Sequence, residues 1–182
     1  MRVIAGKAGG IRLKSIDTKD VRPTLDRVKE AIFSMILPYY PFQKGLDLYA
    51  GFGTLGLEAV SRGTEKLTFV ERNRRYAEII RDNIKKCGFE NHCNIEIENV
   101  FTFIQNNRDK YDIIFLDPPY KNNLVNKTLH ELLNNELIQK GALVVVEHHR
   151  DEEIDQFASF KTLKDRNYNE TVVKVYFYKG EK

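Results

Sequence analysis

The sequence has few of the residues that cross-link or anchor a chain. Among its 182 residues are two cysteines and no tryptophan. Cys87 and Cys93 provide neither a disulfide framework nor the spacing of a metal site, so we expect no metal. No apolar run approaches the length of a membrane span, and the first residues lack the apolar stretch of a secretory signal. These absences predict a single main domain in the reducing cytoplasm, without membrane contact.

Positive charge is concentrated at the start of the chain. Residues 1–29 hold eight Lys and Arg against three Asp, which gives +5 and leaves −2 for the rest of a chain whose net charge is +3. A basic segment on a near-neutral body is typical of proteins that bind a nucleic-acid backbone, although a solvated surface has the same composition. The candidate backbone contacts are Arg2, Lys7, Arg12, Lys14, Arg22 and Arg27.

The apolar pattern predicts an α/β fold. Strands are expected at 45–50, 65–70, 93–98, 111–116 and 141–148, with helices at 55–62, 74–87 and 124–137 and short helices ending near 106 and at 152–157. An antiparallel pair is expected at 160–165 and 171–178. Such alternation predicts a mainly parallel sheet with helices on both faces. Residues 1–44, a hairpin and a helix, are expected to form an extension packed on a core of residues 45–182.

Three glycines follow the first strand of this core. Gly51, Gly53 and Gly56 form a G-x-G-x-x-G pattern between that strand and a helix, and Gly56 is also explained by helix–strand packing alone. Glu71 ends the next strand, at the distance typical of ribose recognition. An adenosine-type cofactor is therefore expected. Asp47 favours the cationic S-adenosylmethionine over a nicotinamide dinucleotide, because its carboxylate would repel a pyrophosphate.

A third strand is followed by Asn99 and Val100. The amide of Asn99 is a candidate for reading an adenine edge while Val100 packs on the ring. An asparagine that caps the next helix fits the same position equally well.

Residues 113–120 carry the most specific pattern. Four apolar residues are followed by Asp117, Pro118, Pro119 and Tyr120. Two prolines end the strand and hold its end rigid. The Asp117 carboxylate, a prolyl carbonyl and the Tyr120 ring can then surround one planar group, and two acceptors beside a stacking face suit the exocyclic amine of a base. A strand that simply ends in a Pro-Pro turn is the alternative.

These motifs, in this order, resemble the Rossmann-like methyltransferases that modify exocyclic amines. More closely, the chain resembles the family of 16S ribosomal RNA guanine-N2 methyltransferases, over nearly its whole length. Among the shared stretches are Arg22–Glu30, Asp47–Gly63, Leu116–Tyr120 and Val144–His148. The resemblance implies a seven-stranded sheet, S-adenosylmethionine as cofactor, and ribosomal RNA in a small-subunit assembly particle as partner.

The resemblance also bears on individual residues. It implies catalytic roles for the Asp117–Tyr120 stretch and closure of Thr24 over the cofactor, a residue that equally suits a helix cap. Tyr49 and Phe52 belong to the cofactor loop but depart from the family's usual residues. Because a bulky ring at Phe52 replaces a small residue, we expect it to lie beside the cofactor and alter its affinity.

Residues near the end of the fifth strand receive structural interpretations. No metal partner or base role is visible for His148, so a strand-end histidine with satisfied hydrogen bonds is favoured over RNA contact. Glu147 is interpreted in the same way. Arg166, Tyr168 and Thr171 are expected to fix the terminal hairpin.

Other functions remain open at this point. Adenine-N6 methylation of RNA or DNA uses the same Asp-Pro-Pro-Tyr signature. A nicotinamide-dependent oxidoreductase would share the glycine loop, and a non-catalytic RNA-binding module would share the basic segment.

Overall fold

The computed structural model describes residues 1–17, 26–120 and 123–180. Within these ranges, seven strands run at Lys44–Leu48 (β1), Lys66–Val70 (β2), Cys93–Glu96 (β3), Tyr111–Leu116 (β4), Ile138–His149 (β5), Phe160–Tyr168 (β6) and Thr171–Tyr178 (β7). The same ranges contain five α-helices, at Asp26–Ile36 (α1), Thr54–Ser61 (α2), Arg74–Cys87 (α3), Val100–Asn106 (α4) and Leu124–Asn134 (α5), with a 3₁₀ turn at Leu37–Tyr39. None of the helices in these ranges has the length and apolar character to cross a bilayer.

The strands form one sheet in the order β3-β2-β1-β4-β5-β7-β6. Strands β1 to β5 pair in parallel, and β7 pairs antiparallel with both β5 and β6. The predicted fold class is therefore confirmed. The strand order reverses between β1 and β4, and open α/β sheets bind ligands in the crevice outside the carboxyl ends of the strands at such a point. We call the edge formed by the carboxyl ends of β1, β2, β4 and β5 the site edge.

Both faces of the sheet are covered. Ile113 and Phe115 of β4 contribute to one apolar cluster with α1, α2 and α3, while Ile114 and Leu116 contribute to a second with α4 and α5. A strand buried on both sides reads as a continuous apolar run, which is why residues 113–116 could be recognised without any alternation.

The N-terminal segment, residues 1–17, is bound to α2 through its backbone. Arg2 and Arg12 form an antiparallel bridge. The carboxylate of Glu58, which is fully buried, accepts hydrogen bonds from the backbone N–H groups of Ile4 at 2.6 Å and Ala5 at 3.1 Å. The ammonium of Lys29, itself buried, lies 3.8 Å from the same carboxylate. Lys29 is thus a structural cation, although it counts toward the basic charge of residues 1–29.

Apolar side chains of this segment join the main core. Val3, Ala8 and Leu13 belong to the same cluster as the sheet and α1. The division of the chain at residue 44 stays a prediction, and the shared core is what an extension packed on the domain requires.

The predicted helix at 152–157 is wrong, since these residues have no regular structure. The side chain of Asn126 in α5 binds this stretch instead: its amide donates to the Glu153 carbonyl at 2.9 Å, and its oxygen accepts from the Asp155 N–H at 2.9 Å. Thr24 and Arg22, predicted to cap a helix or bind cofactor and RNA, lie outside the described residues.

Candidate active site

The glycine loop connects β1 to α2 at the site edge. Tyr49, Gly51 and Gly53 have positive φ angles of 62°, 57° and 77°, and Gly53 precedes the first residue of α2. The N–H of Gly51 donates to a Glu71 carboxylate oxygen at 2.9 Å. The backbone therefore makes the tight left-handed turn that glycine permits.

Gly56 serves helix–strand packing. A Cβ atom at this position would lie 2.3 Å from Cε1 of Phe69 and 2.6 Å from Cδ2 of Leu67. Its N–H donates to Asp47 at 2.9 Å. The absence of a side chain at Gly56 thus lets α2 lie close to β2. Helix–strand packing, one of the two explanations of this glycine, therefore applies.

Carboxylates converge where β1, β2 and β4 end. Asp47 is 1% exposed and Glu71 is 8% exposed. Burial raises the pKa of Asp47 well above its usual value, and the nearby charges of Asp117 and Glu71 raise it further. Burial also raises the pKa of Glu71, against the hydrogen bonds from the N–H groups of Asn73 and Gly51. Burial thus disfavours the charged forms of both groups, and a cation bound beside them would stabilise those forms.

Glu71 already has backbone partners. One oxygen accepts from Gly51 and the other from the Asn73 N–H at 2.8 Å. Recognition of a ribose hydroxyl by Glu71 stays a prediction, and it would use the remaining acceptor capacity of these oxygens.

The ring of Phe52 is buried inside the protein. It is 2% exposed and makes an edge contact with Tyr76 of α3 at 5.3 Å between ring centroids, with Ile79 in the same cluster. Met1 and Ile16 of the N-terminal segment pack against this cluster. The ring therefore packs against apolar side chains of α3 and of the N-terminal segment, and its contact with a cofactor stays a prediction.

Asn83 of α3 was missed by sequence reasoning. Its side chain is fully buried and contacts two segments. Its amide donates to the carbonyls of Phe52 at 3.1 Å and Lys14 at 3.0 Å, and its oxygen accepts from the Lys14 N–H at 2.7 Å. Asn83 therefore joins the N-terminal segment to the glycine loop, a link that only tertiary structure reveals.

Asn99 caps α4. Its side-chain oxygen accepts from the Phe101 N–H at 2.9 Å, and Val100 is buried in the core. Of the two interpretations of Asn99, the structure shows the one in which it caps the following helix. The hydroxyl of Tyr49 lies 2.7 Å from that of Thr128 on α5, which fixes the tyrosine against the helix. Contact of these side chains with an adenine stays a prediction.

The Asp-Pro-Pro-Tyr turn follows β4. Asp117 is half-buried, Pro118 is buried and Pro119 is exposed. The hydroxyl of Tyr120 lies 2.8 Å from that of Thr171, at the first residue of β7. Thr171 was expected to serve only the terminal hairpin, and it also holds this tyrosine.

The ring of Tyr120 lies against His149, the last residue of β5, with 5.4 Å between the ring centroids and 60° between the planes. Together with the hydroxyl contact to Thr171, this places the tyrosine ring on two strands at the site edge. The turn thus carries an acceptor carboxylate and an oriented aromatic face, the two elements that a base-binding site requires.

The predicted backbone contacts are only partly brought together: Arg2 and Arg12 are joined by the antiparallel bridge, and Arg2 lies 3.5 Å from the carboxylate of Asp26, the residue before Arg27. Arg2, Arg12 and Arg27 are exposed. Lys14 is paired with Asp82 of α3 at 2.6 Å. Lys7 lies beside Gln43 and Glu65, which precede β1 and β2, and so it is at the edge opposite the site edge. Contact between Lys7 and an RNA at the site stays a prediction.

Comparisons with known proteins agree with this geometry. The family described as "Conserved hypothetical protein 95" matches residues 1–177. A Bacillus subtilis relative named "Putative rRNA methyltransferase YlbH" is 34% identical, over 99% of this chain and 100% of its own length. The "Ribosomal RNA small subunit methyltransferase D" of Haemophilus influenzae is 33% identical, over 91% of this chain and 88% of its own length.

A solved structure extends the agreement to three dimensions. The structure titled "Putative methyltransferase yhhF from Escherichia coli" superposes with a TM-score of 0.91 at 25% identity, and the match covers 100% of this chain and 99% of that one. The resemblance seen in the sequence is thus confirmed. The chain belongs to the family described as "Conserved hypothetical protein 95", whose model matches it from residue 1 to residue 177.

Proposed function

We propose that this protein transfers a methyl group from S-adenosylmethionine to the exocyclic N2 amine of a guanine in 16S ribosomal RNA. The observation that carries the proposal is the pairing of β1 with β4, in which Leu48 lies opposite Leu116. The glycine loop follows β1 and the Asp-Pro-Pro-Tyr turn follows β4, so the two motifs leave neighbouring strands at the site edge. The effect of the Asp117 charge on the pKa of Asp47 agrees with this proximity. The relatives named for ribosomal RNA methylation support the same activity.

The residues at the site edge fit a cationic cofactor. S-adenosylmethionine supplies a methyl group on a sulfonium centre and also carries an α-ammonium. Burial disfavours the ionised forms of Asp47 and Glu71. A bound cation would stabilise these carboxylates, whereas a pyrophosphate would disfavour their ionised forms further. We assign cofactor binding to the loop from Tyr49 to Gly53, with Asp47 and Glu71. This difference argues against the nicotinamide alternative.

The chain's contribution to the chemistry is positioning. The lone pair of a guanine amine is delocalised into the ring, so the amine is a poor nucleophile. Asp117 and the Pro118 carbonyl accept its two hydrogens and hold the lone pair toward the methyl group. Tyr120, fixed by Thr171 and His149, stacks on the base. Alignment of this kind removes roughly 7–11 kcal/mol of a barrier.

Proton removal follows the transfer. The methylated amine becomes acidic, so Asp117 or water takes the proton without a strong base beforehand. Because a base within a duplex is out of reach, the target guanine must be unpaired or must leave its stack. We further propose that the substrate is a small-subunit assembly particle in the cytoplasm, and that residues 1–44 form the RNA-binding extension.

The proposal is tested by mass spectrometry of ribosomal RNA from cells with and without the gene. We expect one N2-methylguanosine of 16S RNA to be lost without the gene and restored by a plasmid copy. The purified protein should then methylate the same position on RNA from the deficient cells. Loss of an N6-methyladenosine would favour the adenine alternative, and an unchanged RNA would contradict the function.

Removal of one basic contact should reduce the salt dependence of RNA binding. Arg27 is exposed, and no carboxylate of the described residues forms an ion pair with it. For Arg27→Ala we expect the slope of log K against log salt to fall by about 1. The control is Lys44→Ala, at the opposite edge and paired with Asp109 at 3.0 Å, which should keep the slope. Equal slopes for Arg27→Ala and the unmodified protein would contradict the assignment.

A further inference from the structure

A polar cavity of about 440 Å³ lies beside the ends of β5, β6 and β7. Its walls come from the end of β5, the stretch after it, and the paired strands β6 and β7; they include His148, Glu152, Ile154, Asn167, Val172 and Lys174. Its volume is within the range of small-ligand sites, roughly 300–1,000 Å³. No role described so far uses this cavity.

His148 lines this cavity and carries a buried ring nitrogen without a hydrogen-bond partner among the described residues. The residue is 3% exposed, and its Nδ1 lies 2.8 Å from the carbonyl oxygen of His149. Because a carbonyl only accepts, Nδ1 carries the hydrogen, and Nε2 of the neutral ring is an acceptor. Nε2 is buried and has no hydrogen-bond partner among the described residues. The interpretation of His148 as a satisfied strand-end residue is therefore wrong.

Burial lowers the pKa of His148, so the ring stays neutral and Nε2 stays an acceptor. A buried polar atom without a partner is uncommon in folded proteins. Here the residue that carries this atom lines a cavity large enough for a ligand, and so the atom indicates a hydrogen-bond donor supplied from outside the chain.

The cavity adjoins the Tyr120 site across the sheet. His149, the next residue on β5, contacts the Tyr120 ring, and Thr171, the residue before Val172 on β7, contacts its hydroxyl. Successive residues of a strand point to opposite faces. The ends of β5 and β7 therefore contact Tyr120 on one face of the sheet and line the cavity on the other face. An RNA that passes over this edge reaches both.

The charges in the cavity favour a base over a phosphate. Lys174 is paired with Asp165 at 2.6 Å, so their opposite charges offset each other beside the cavity. Glu152 also lines the cavity and has a buried carboxylate oxygen without a hydrogen-bond partner among the described residues. Two acceptors match an amino group on a base edge, whereas the carboxylate would repel a phosphate. Arg150, which also lines the cavity, is exposed and lies 3.6 Å from the carboxylate of the equally exposed Asp151.

We infer that this cavity binds the base of a nucleotide next to the target guanine, with His148 Nε2 accepting a hydrogen bond from the exocyclic amino group of that base. His148 then determines specificity for the sequence around the methylated position. This inference rests on the proposed function.

The test uses 16S RNA transcripts in which the bases on either side of the methylated guanine are changed. For the unmodified enzyme, kcat/KM should fall about tenfold when the preferred neighbouring base is replaced by its analogue without the amino group. His148→Phe keeps an aromatic ring and removes the acceptor nitrogen. This variant should have a lower kcat/KM on the preferred transcript, and its kcat/KM values on the preferred and the altered transcript should differ by less than twofold.

The control is His92→Phe, the same change at the opposite edge of the sheet, which should discriminate as the unmodified enzyme does. A shift of the melting temperature by S-adenosylhomocysteine checks that each variant is folded. If the unmodified enzyme methylates the guanine but ignores both neighbours, or if His148→Phe keeps the discrimination, the inference is overturned while the proposed function stands. Should no transcript or native particle be methylated, the proposed function itself fails.

Discussion

Replacement of Asp117 by alanine is expected to lower the rate of methyl transfer by about 10²–10⁴-fold, because the amine loses the acceptor that holds its hydrogens and takes its proton. Binding of S-adenosylhomocysteine should persist, since the glycine loop, Asp47 and Glu71 are untouched. The measurement is single-turnover methylation of RNA from cells lacking the gene, beside calorimetric titration of the cofactor product.

Two further variants separate the contributions of Asp117. Asp117→Asn keeps one oxygen acceptor and loses the charge, so we expect an intermediate rate. Asp112→Asn is the matched control: Asp112 lies on the same strand, but its carboxylate accepts from the N–H groups of Gln43 and Lys44 at the opposite edge. Its rate should be unchanged. If Asp117→Ala turned over at the normal rate, Asp117 could not be the group that accepts the amine hydrogens and the proton.

The sequence predicts the sheet well because its signals are local. The apolar run 113–116 and the helical spacing of 74–87 each determine an element from its own residues, and α3 begins and ends where predicted. The predicted helix at 152–157 fails because a distant side chain, Asn126, binds that backbone. No local pattern contains such information, and a short helix contributes little stability of its own.

The candidate site divides in the same way. Motif residues at Gly51, Gly53 and Asp117 are placed at the site edge by strand order, which the alternation of elements already implies. The partners of these motifs are not predictable, since Thr171 contacts Tyr120 across 51 residues and Asn83 contacts Phe52 across 31. A hydroxyl or an amide becomes functional through its neighbours, and the neighbours are set by the fold.

Replacement of Gly6 by alanine is expected to undock the N-terminal segment. Gly6 has φ +83°, and a Cβ there would lie 1.9 Å from the backbone oxygen of Ser61. That oxygen accepts from the Lys7 N–H at 2.8 Å, and the Ser61 hydroxyl accepts from the Ala8 N–H at 2.9 Å. The added methyl cannot be accommodated without breaking these bonds. We expect the free energy of unfolding to fall by about 2–5 kcal/mol in urea titrations.

Gly10 provides a matched control in the same turn. Its φ is +88°, but a Cβ there would have nothing within 4 Å, so alanine adds only the left-handed strain of about 1–2 kcal/mol. Trypsin should cleave after Lys7 and Arg12 faster in Gly6→Ala than in Gly10→Ala, and only Gly6→Ala should weaken RNA binding strongly. Equal losses in both variants would mean that strain alone, and not the contact with Ser61, governs the docking of this segment. A docked segment matters for function because its fixed backbone holds Arg2 and Arg12 in place, and ordering a loose segment on RNA would cost conformational entropy at each binding event.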